Sequence, residues 1–129
     1  RGGRLAWPTQ GSISSVFGTR IHPAFKTKIN HTGLDISAPK GTEVTAADAG
    51  EVLYTGWMRG YGQVIIIDHG GNLTTVYAHL SKIECTEDQK VSRGTTIGRV
   101  GSTGIATGNH LHFEVRVNGD AVNPMRYLK

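Results

Sequence analysis

Apolar residues along this chain fall in short runs, each closed by Gly, Pro, Asn or Asp, and the helical period is nearly absent. The runs predict strands over 12–17, 43–46, 50–55, 63–68, 73–79, 96–100 and 111–117. Gln63-Val64-Ile65-Ile66-Ile67-Asp68 is apolar without a break, the pattern of a central strand covered on both faces. His110-Leu111-His112-Phe113-Glu114-Val115 instead alternates. Leu111, Phe113 and Val115 point into a core, and His110 and His112 point together to the opposite face. Asp68-His69-Gly70-Gly71-Asn72 and Val117-Asn118-Gly119-Asp120-Ala121-Val122 read as hairpins. Only 81–83 and 123–127 suggest a short helical turn, so the fold class is all-β.

A weak internal echo adds to this. Pro39-Lys40-Gly41-Thr42-Glu43-Val44, followed by Ala49-Gly50-Glu51-Val52, resembles Val91-Ser92-Arg93-Gly94-Thr95-Thr96-Ile97-Gly98. Both carry a turn glycine, a β-branched pair and a glycine-led strand. The echo predicts two related β-units packed face to face, short of a solenoid repeat.

Composition narrows the class. The 129 residues suit one domain, 1–129, with a core that needs no staples. With 37% hydrophobic and 19% charged residues the chain is too apolar for disorder, and 18 glycines suit many tight turns. The net charge of +4 is a solubility margin; no Lys/Arg run interleaved with aromatics points to nucleic acid. Cys85 is the only cysteine, so neither an intrachain disulfide nor a Cys-based metal site can form. No stretch has the length and apolarity of a membrane span, and no signal-like segment is present. Because the chain begins at Arg1, it is expected to be a piece of a longer protein whose targeting segment lies upstream.

The chemistry lies in the histidines. Of the six, His110 and His112 share a strand face, and Asn30-His31-Thr32-Gly33-Leu34-Asp35 offers an imidazole and a carboxylate four residues apart. Two histidines and one carboxylate, with a histidine to spare, make the donor set of a catalytic zinc site with one position left for water. Glycines 33, 104 and 108 leave the backbone free to bring these segments together. No His-Glu-x-x-His motif is present. The glutamate base of that arrangement is therefore excluded, and a histidine is the natural base at neutral pH.

Taken in order, these motifs resemble the catalytic domain of the lysostaphin-type (LytM-like) zinc metallopeptidases, which cleave peptide cross-links of bacterial peptidoglycan. The likeness rests on His31-Thr32-Gly33-Leu34-Asp35, Val76-Tyr77-Ala78-His79-Leu80, Gly101-Ser102-Thr103-Gly104 and His110-Leu111-His112-Phe113-Glu114-Val115. Trp7-Pro8, Phe17-Gly18-Thr19-Arg20, His22-Pro23 and Asn123-Pro124 extend it to nearly the whole chain. The resemblance implies a twisted, mostly antiparallel two-sheet β-sandwich with little or no helix. It implies one Zn2+ held by His31, Asp35 and His112, with His79 and His110 as catalytic, non-ligand histidines. It also implies a monomer of the cell envelope, periplasmic or extracellular, acting on peptidoglycan stem peptides or cross-bridges. The family contains members that have lost ligands and act as regulators, so a non-catalytic peptidoglycan-binding or amidase-activating module is the alternative. All five positions are filled here, which argues for an enzyme.

The remaining candidates carry blander expectations. His22 and His69 read as loop histidines, Arg20 as structural, and Glu114 as a solvated or structural glutamate rather than a fourth ligand. Tyr77, with the parity of His79, is a candidate hydrogen-bond donor near the metal or a packed tyrosine. The loops that select the bond lie within 20–30, 57–61 and 105–109, and Lys26, Lys28 and Arg59 lean toward anionic stem peptides. A carrier-like β-sandwich finds no hairpin-tip lysine to support it.

Overall fold

Twelve strands and one 3₁₀ turn make up the described residues. The strands are β1 (Ser12–Ser15), β2 (Gly18–Ile21), β3 (Lys28–His31), β4 (Leu34–Ser37), β5 (Glu43–Thr45), β6 (Gly50–Met58), β7 (Gly62–Asp68), β8 (Leu73–Ile83), β9 (Lys90–Val91), β10 (Thr96–Val100), β11 (His110–Val117) and β12 (Asp120–Val122); the turn is Pro124–Arg126. The structure, a computed structural model, describes residues 5–21, 28–106 and 108–129, without the side chains of 19–21 and 28–30. His22, Lys26 and the side chains of Arg20 and Lys28 therefore lie outside the described residues.

Ten strands form one sheet in the order β1-β4-β11-β8-β7-β6-β9, with β12 on β11, β10 on β8 and β5 on β10; β2 and β3 form a separate ribbon. The expected all-β, antiparallel build is thus the one adopted, and its layers come from a single sheet that branches at β8. Residues 74–78 of β8 lie between β11 and β7, whereas residues 80–83 pair with β10. The β5–β10 arm folds back, so Val44, Ile97 and Val100 share a core with Ile65, Ile67, Leu111 and Phe113. The opposite face carries a smaller cluster of Val64, Val76 and Ala78, flanked by Tyr54, Tyr61 and Ile66. The unbroken apolar run of β7 serves both.

Leu111, Phe113 and Val115 are fully buried, as the alternation of β11 predicts. Each contributes about 1.5–3 kcal/mol. That is of the order needed to offset the desolvation of polar side chains on the other face, several kcal/mol per ion.

Three expectations change. Residues 81–83 continue β8 rather than turning into a helix, because β10 supplies a partner to that stretch. The echoed segments meet edge to edge, β5 with β10 and β6 with β9, rather than face to face. Strands β2, β3, β4 and β9 are additions to the predicted runs, and β12 is the second arm of the hairpin expected at 117–122. The 3₁₀ turn after Asn123 forms as expected, capped by the Asn123 side chain on the Met125 N–H. Among the described residues, no helix is long and apolar enough to cross a membrane.

Tyr77 lies on the core face, not near the histidines. Its ring packs 5.4 Å from that of Phe113, and its hydroxyl accepts from the Ala47 N–H and the Thr75 hydroxyl. Burial pushes its pKa up to about 12. The unfolded chain ionises first, so the Tyr77 contribution is present below about pH 10 and lost as pH rises towards 12. Tyr77→Phe is expected to cost about 1–3 kcal/mol, by leaving the Ala47 N–H unsatisfied, and to flatten that alkaline loss. Urea unfolding at pH 8 and pH 11 measures both.

Candidate metal centre

The register of β4 on β11 sets Asp35 directly opposite His112. Cross-strand partners share a face, so carboxylate and imidazole meet, with Asp35 Oδ1 2.8 Å from His112 Nδ1. His31 ends β3, and its Nε2 reaches Asp35 Oδ2 at 3.2 Å. The turn between them depends on Gly33. A Cβ there would stand 2.5 Å from the Phe113 carbonyl oxygen and 3.0 Å from the His112 ring. Among the described residues, His31, Asp35 and His112 bring three donor atoms within 4.8 Å of one another.

His79 arrives by a less regular route. Between the pairs Ile65–Tyr77 and Gln63–Leu80, β8 carries one residue more than β7. His79 sits in that bulge with φ 64°. Regular alternation would send it into the core beside Tyr77; the bulge turns it to the face of His112. A left-handed conformation at a non-glycine residue costs of order 1–3 kcal/mol and is held only by surrounding contacts. Here the His79 N–H donates to the Tyr61 carbonyl, and Nδ1 donates to the Thr103 carbonyl at 2.7 Å. The Thr103–Gly104 backbone packs against Gly62 so closely that a Cβ on Gly62 would lie 2.4 Å from the Thr103 carbonyl carbon. The ring of His79 stands 4.9 Å from that of His110 and 6.0 Å from that of His112.

A carbonyl oxygen can only accept, so each anchored ring nitrogen carries its proton and leaves the other nitrogen free. His31 Nδ1 donates to the Val16 carbonyl, His79 Nδ1 to Thr103, and His110 Nδ1 to Gly108. His112 is turned the other way, with Nε2 on Glu114 Oε2 at 2.8 Å and Nδ1 toward Asp35. The four rings line one open cleft of about 430 Å³ with Asp35, Thr32, Tyr61 and Ile105. The sequence-predicted set is therefore brought together whole. Loops 57–61 and 105–109 reach the cleft through Gly60, Tyr61, Ile105 and Ala106. His69 lies elsewhere, on the Ala49 carbonyl and Thr75.

The local field separates the groups. Burial pushes the pKa of His79 below its ordinary value, and His110 and His112 add to this against the Thr103 hydrogen bond, so the ring is neutral at neutral pH. Burial would also lower His112, but its hydrogen bonds to Asp35 and Glu114 prevail and raise it to about 9 in the metal-free chain. Burial raises Asp35, yet the His112 hydrogen bond and the nearby imidazoles hold it below the usual carboxylate range. Two imidazole nitrogens, each from a ring held at its other nitrogen by Val16 or Glu114, and a carboxylate are a donor set that fits a catalytic zinc.

Sequence reasoning undervalued Glu114 and missed Tyr61. Parity placed Glu114 beside His112, but nothing in the alternation showed that it is fully buried. Tyr61 sits in a glycine turn, and only the folded hairpin carries its hydroxyl to Glu114.

Residues 29–124 match peptidase family M23. The chain belongs to that family, which is the lysostaphin/LytM type that the motifs suggested. It is 48% identical over 113 residues to the DD-carboxypeptidase/endopeptidase Mpg of Neisseria meningitidis serogroup B, covering 88% of this chain and 26% of that protein. It is 39% identical over 123 residues to the murein hydrolase activator NlpD of Escherichia coli, covering 95% of this chain and 30% of that protein. The crystal structure of a zinc-containing peptidase from Vibrio cholerae superposes with a TM-score of 0.89 at 34% identity, over 100% of this chain and 41% of that one. The chain thus spans between 26% and 30% of the length of these two curated relatives.

Proposed function

We propose that this chain is a zinc-dependent endopeptidase that hydrolyses peptide cross-links of bacterial peptidoglycan. In this reading it is one monomeric catalytic domain of a longer cell-envelope protein. The observation that carries the proposal is the completeness of the cleft: His31, Asp35, His112, His79 and His110 are all present, and each imidazole is anchored on its outer nitrogen. His31, Asp35 and His112 are the residues that would hold zinc. When bound, zinc supplies a Lewis acid for the scissile carbonyl and lowers the pKa of an attacking water towards about 7. His79, neutral at neutral pH, offers Nε2 to take the proton of that water. His110, alongside it, has its Nδ1–H committed to the Gly108 carbonyl, so it is Nε2, once that atom also carries a proton, that donates a hydrogen bond to the oxygen gaining charge as the amide is attacked. Ile105 and Tyr61 shape the walls that the peptide must pass.

A second reading, an amidase-activating module, is favoured by the likeness to NlpD. An assay on purified peptidoglycan separates the two. The endopeptidase reading predicts soluble muropeptides from the chain alone, loss of release with a chelator, and recovery on adding zinc. Release that appears only when an amidase is added would support the activator. Mass spectrometry of fragments from defined muropeptides then identifies the bond, D-Ala–diaminopimelate or a glycine bridge.

A further inference from the structure

Behind the cleft, Glu114 is fully buried and its two oxygens divide their work. Oε1 takes the Arg116 guanidinium, from Nε at 2.7 Å and Nη2 at 2.6 Å. Oε2 takes the Tyr61 hydroxyl at 2.6 Å, the Thr32 hydroxyl at 2.8 Å and His112 Nε2 at 2.8 Å. A counter-ion for Arg116 would need only the first oxygen. The second gathers donors from three separate places: the turn before β4, the β6–β7 hairpin and β11. His112 is also the odd ring of the four, since its outer nitrogen is Nε2 and its anchor is a carboxylate rather than a backbone carbonyl.

We propose that Glu114 is the positioning residue for His112, its Oε2 fixing the Nε2–H so that Nδ1 is presented beside Asp35 to a bound cation. Rotation of the ring about Cβ–Cγ would break the hydrogen bond and leave a buried charge short of a donor, so one orientation is held. Tyr61 and Thr32 keep Oε2 in place, and Arg116 holds Oε1 through Nε and Nη2. A carboxylate on the outer nitrogen of a metal-bound imidazole both orients the ring and makes it a stronger ligand. Tyr61 also lines the cleft, so this network joins the metal ligand to the wall that substrate meets.

The inference rests on the zinc reading, and the test keeps the two apart. Zinc affinity of folded protein is measured by competition with a chromophoric chelator. The His112 Nε2–H resonance of the zinc-loaded protein is followed by NMR. Glu114→Gln is expected to weaken zinc roughly 10- to 100-fold and to shift that resonance upfield. Glu114→Asp, which keeps a charge for Arg116 but withdraws it by one methylene, is expected to do the same and serves if the Gln variant does not fold. Tyr77→Phe, destabilised from the opposite face, keeps wild-type zinc affinity. Wild-type affinity and an unmoved resonance in a folded Glu114 variant overturn this inference alone. A wild-type chain that takes no zinc overturns the zinc reading and this inference with it.

Discussion

His110→Ala is expected to release soluble muropeptides at least 10²-fold more slowly than the wild-type chain, with zinc still bound at one per chain. The size follows from the role. A side chain that moves a proton or hydrogen-bonds developing charge contributes about 10²–10⁴-fold, and a methyl group does neither. Zinc is retained because, among the described residues, His31, Asp35 and His112 are the three whose donor atoms all come within 4.8 Å of one another, a group that does not include His110. The fold should also be kept. His110 opens β11, its ring hydrogen-bonds the exposed Gly108 carbonyl, and the core below it is built by Leu111, Phe113 and Val115. Near-wild-type turnover in folded, zinc-loaded His110→Ala would remove His110 from the reaction.

The larger effect belongs to His112→Ala, which is expected to lose both zinc and turnover. His112 is the hub of the site, hydrogen-bonded to Asp35 through Nδ1 and to Glu114 through Nε2. Its removal takes away one of three ligands and also strips Glu114 and Asp35 of a shared partner. Burial raises both carboxyl pKa values, and it is the His112 hydrogen bond that leads the opposing effects, bringing Glu114 down to about 2. Without it the folded pKa of Glu114 rises. The contribution of this carboxylate, otherwise present above about pH 4.5 and lost only as pH falls through about 2, then disappears at milder acidity. Acid unfolding of His112→Ala should therefore begin at higher pH than that of His110→Ala.

Much of this site was legible in the chain because β11 is regular. Strict alternation tells which residues are buried and which share a face, so His110 and His112 could be placed together, and Glu114 with them. What β11 meets was not legible, since register between strands far apart in sequence is decided by packing. Asp35 opposite His112 is a fact of the β4–β11 pairing. His79 shows the limit most clearly. Its parity linked it with Tyr77, which was therefore a candidate near the metal, and only the bulge in β8 separates the two. A bulge is one extra residue with no compositional mark, in this case not even a glycine. The echoed Gly-Thr segments failed for a related reason: similar strands can meet at their edges as readily as at their faces, and hydrogen bonds of β5 to β10 decided for the edge.

The proposed mechanism divides the labour between two histidines that the sequence presents as equals, His110 and His112. Zinc content after exhaustive dialysis of the two alanine variants, each checked for folding, tests it most directly. The prediction is one zinc per chain in His110→Ala and none in His112→Ala. Stoichiometric zinc in His112→Ala, or its loss from His110→Ala, would contradict the assignment.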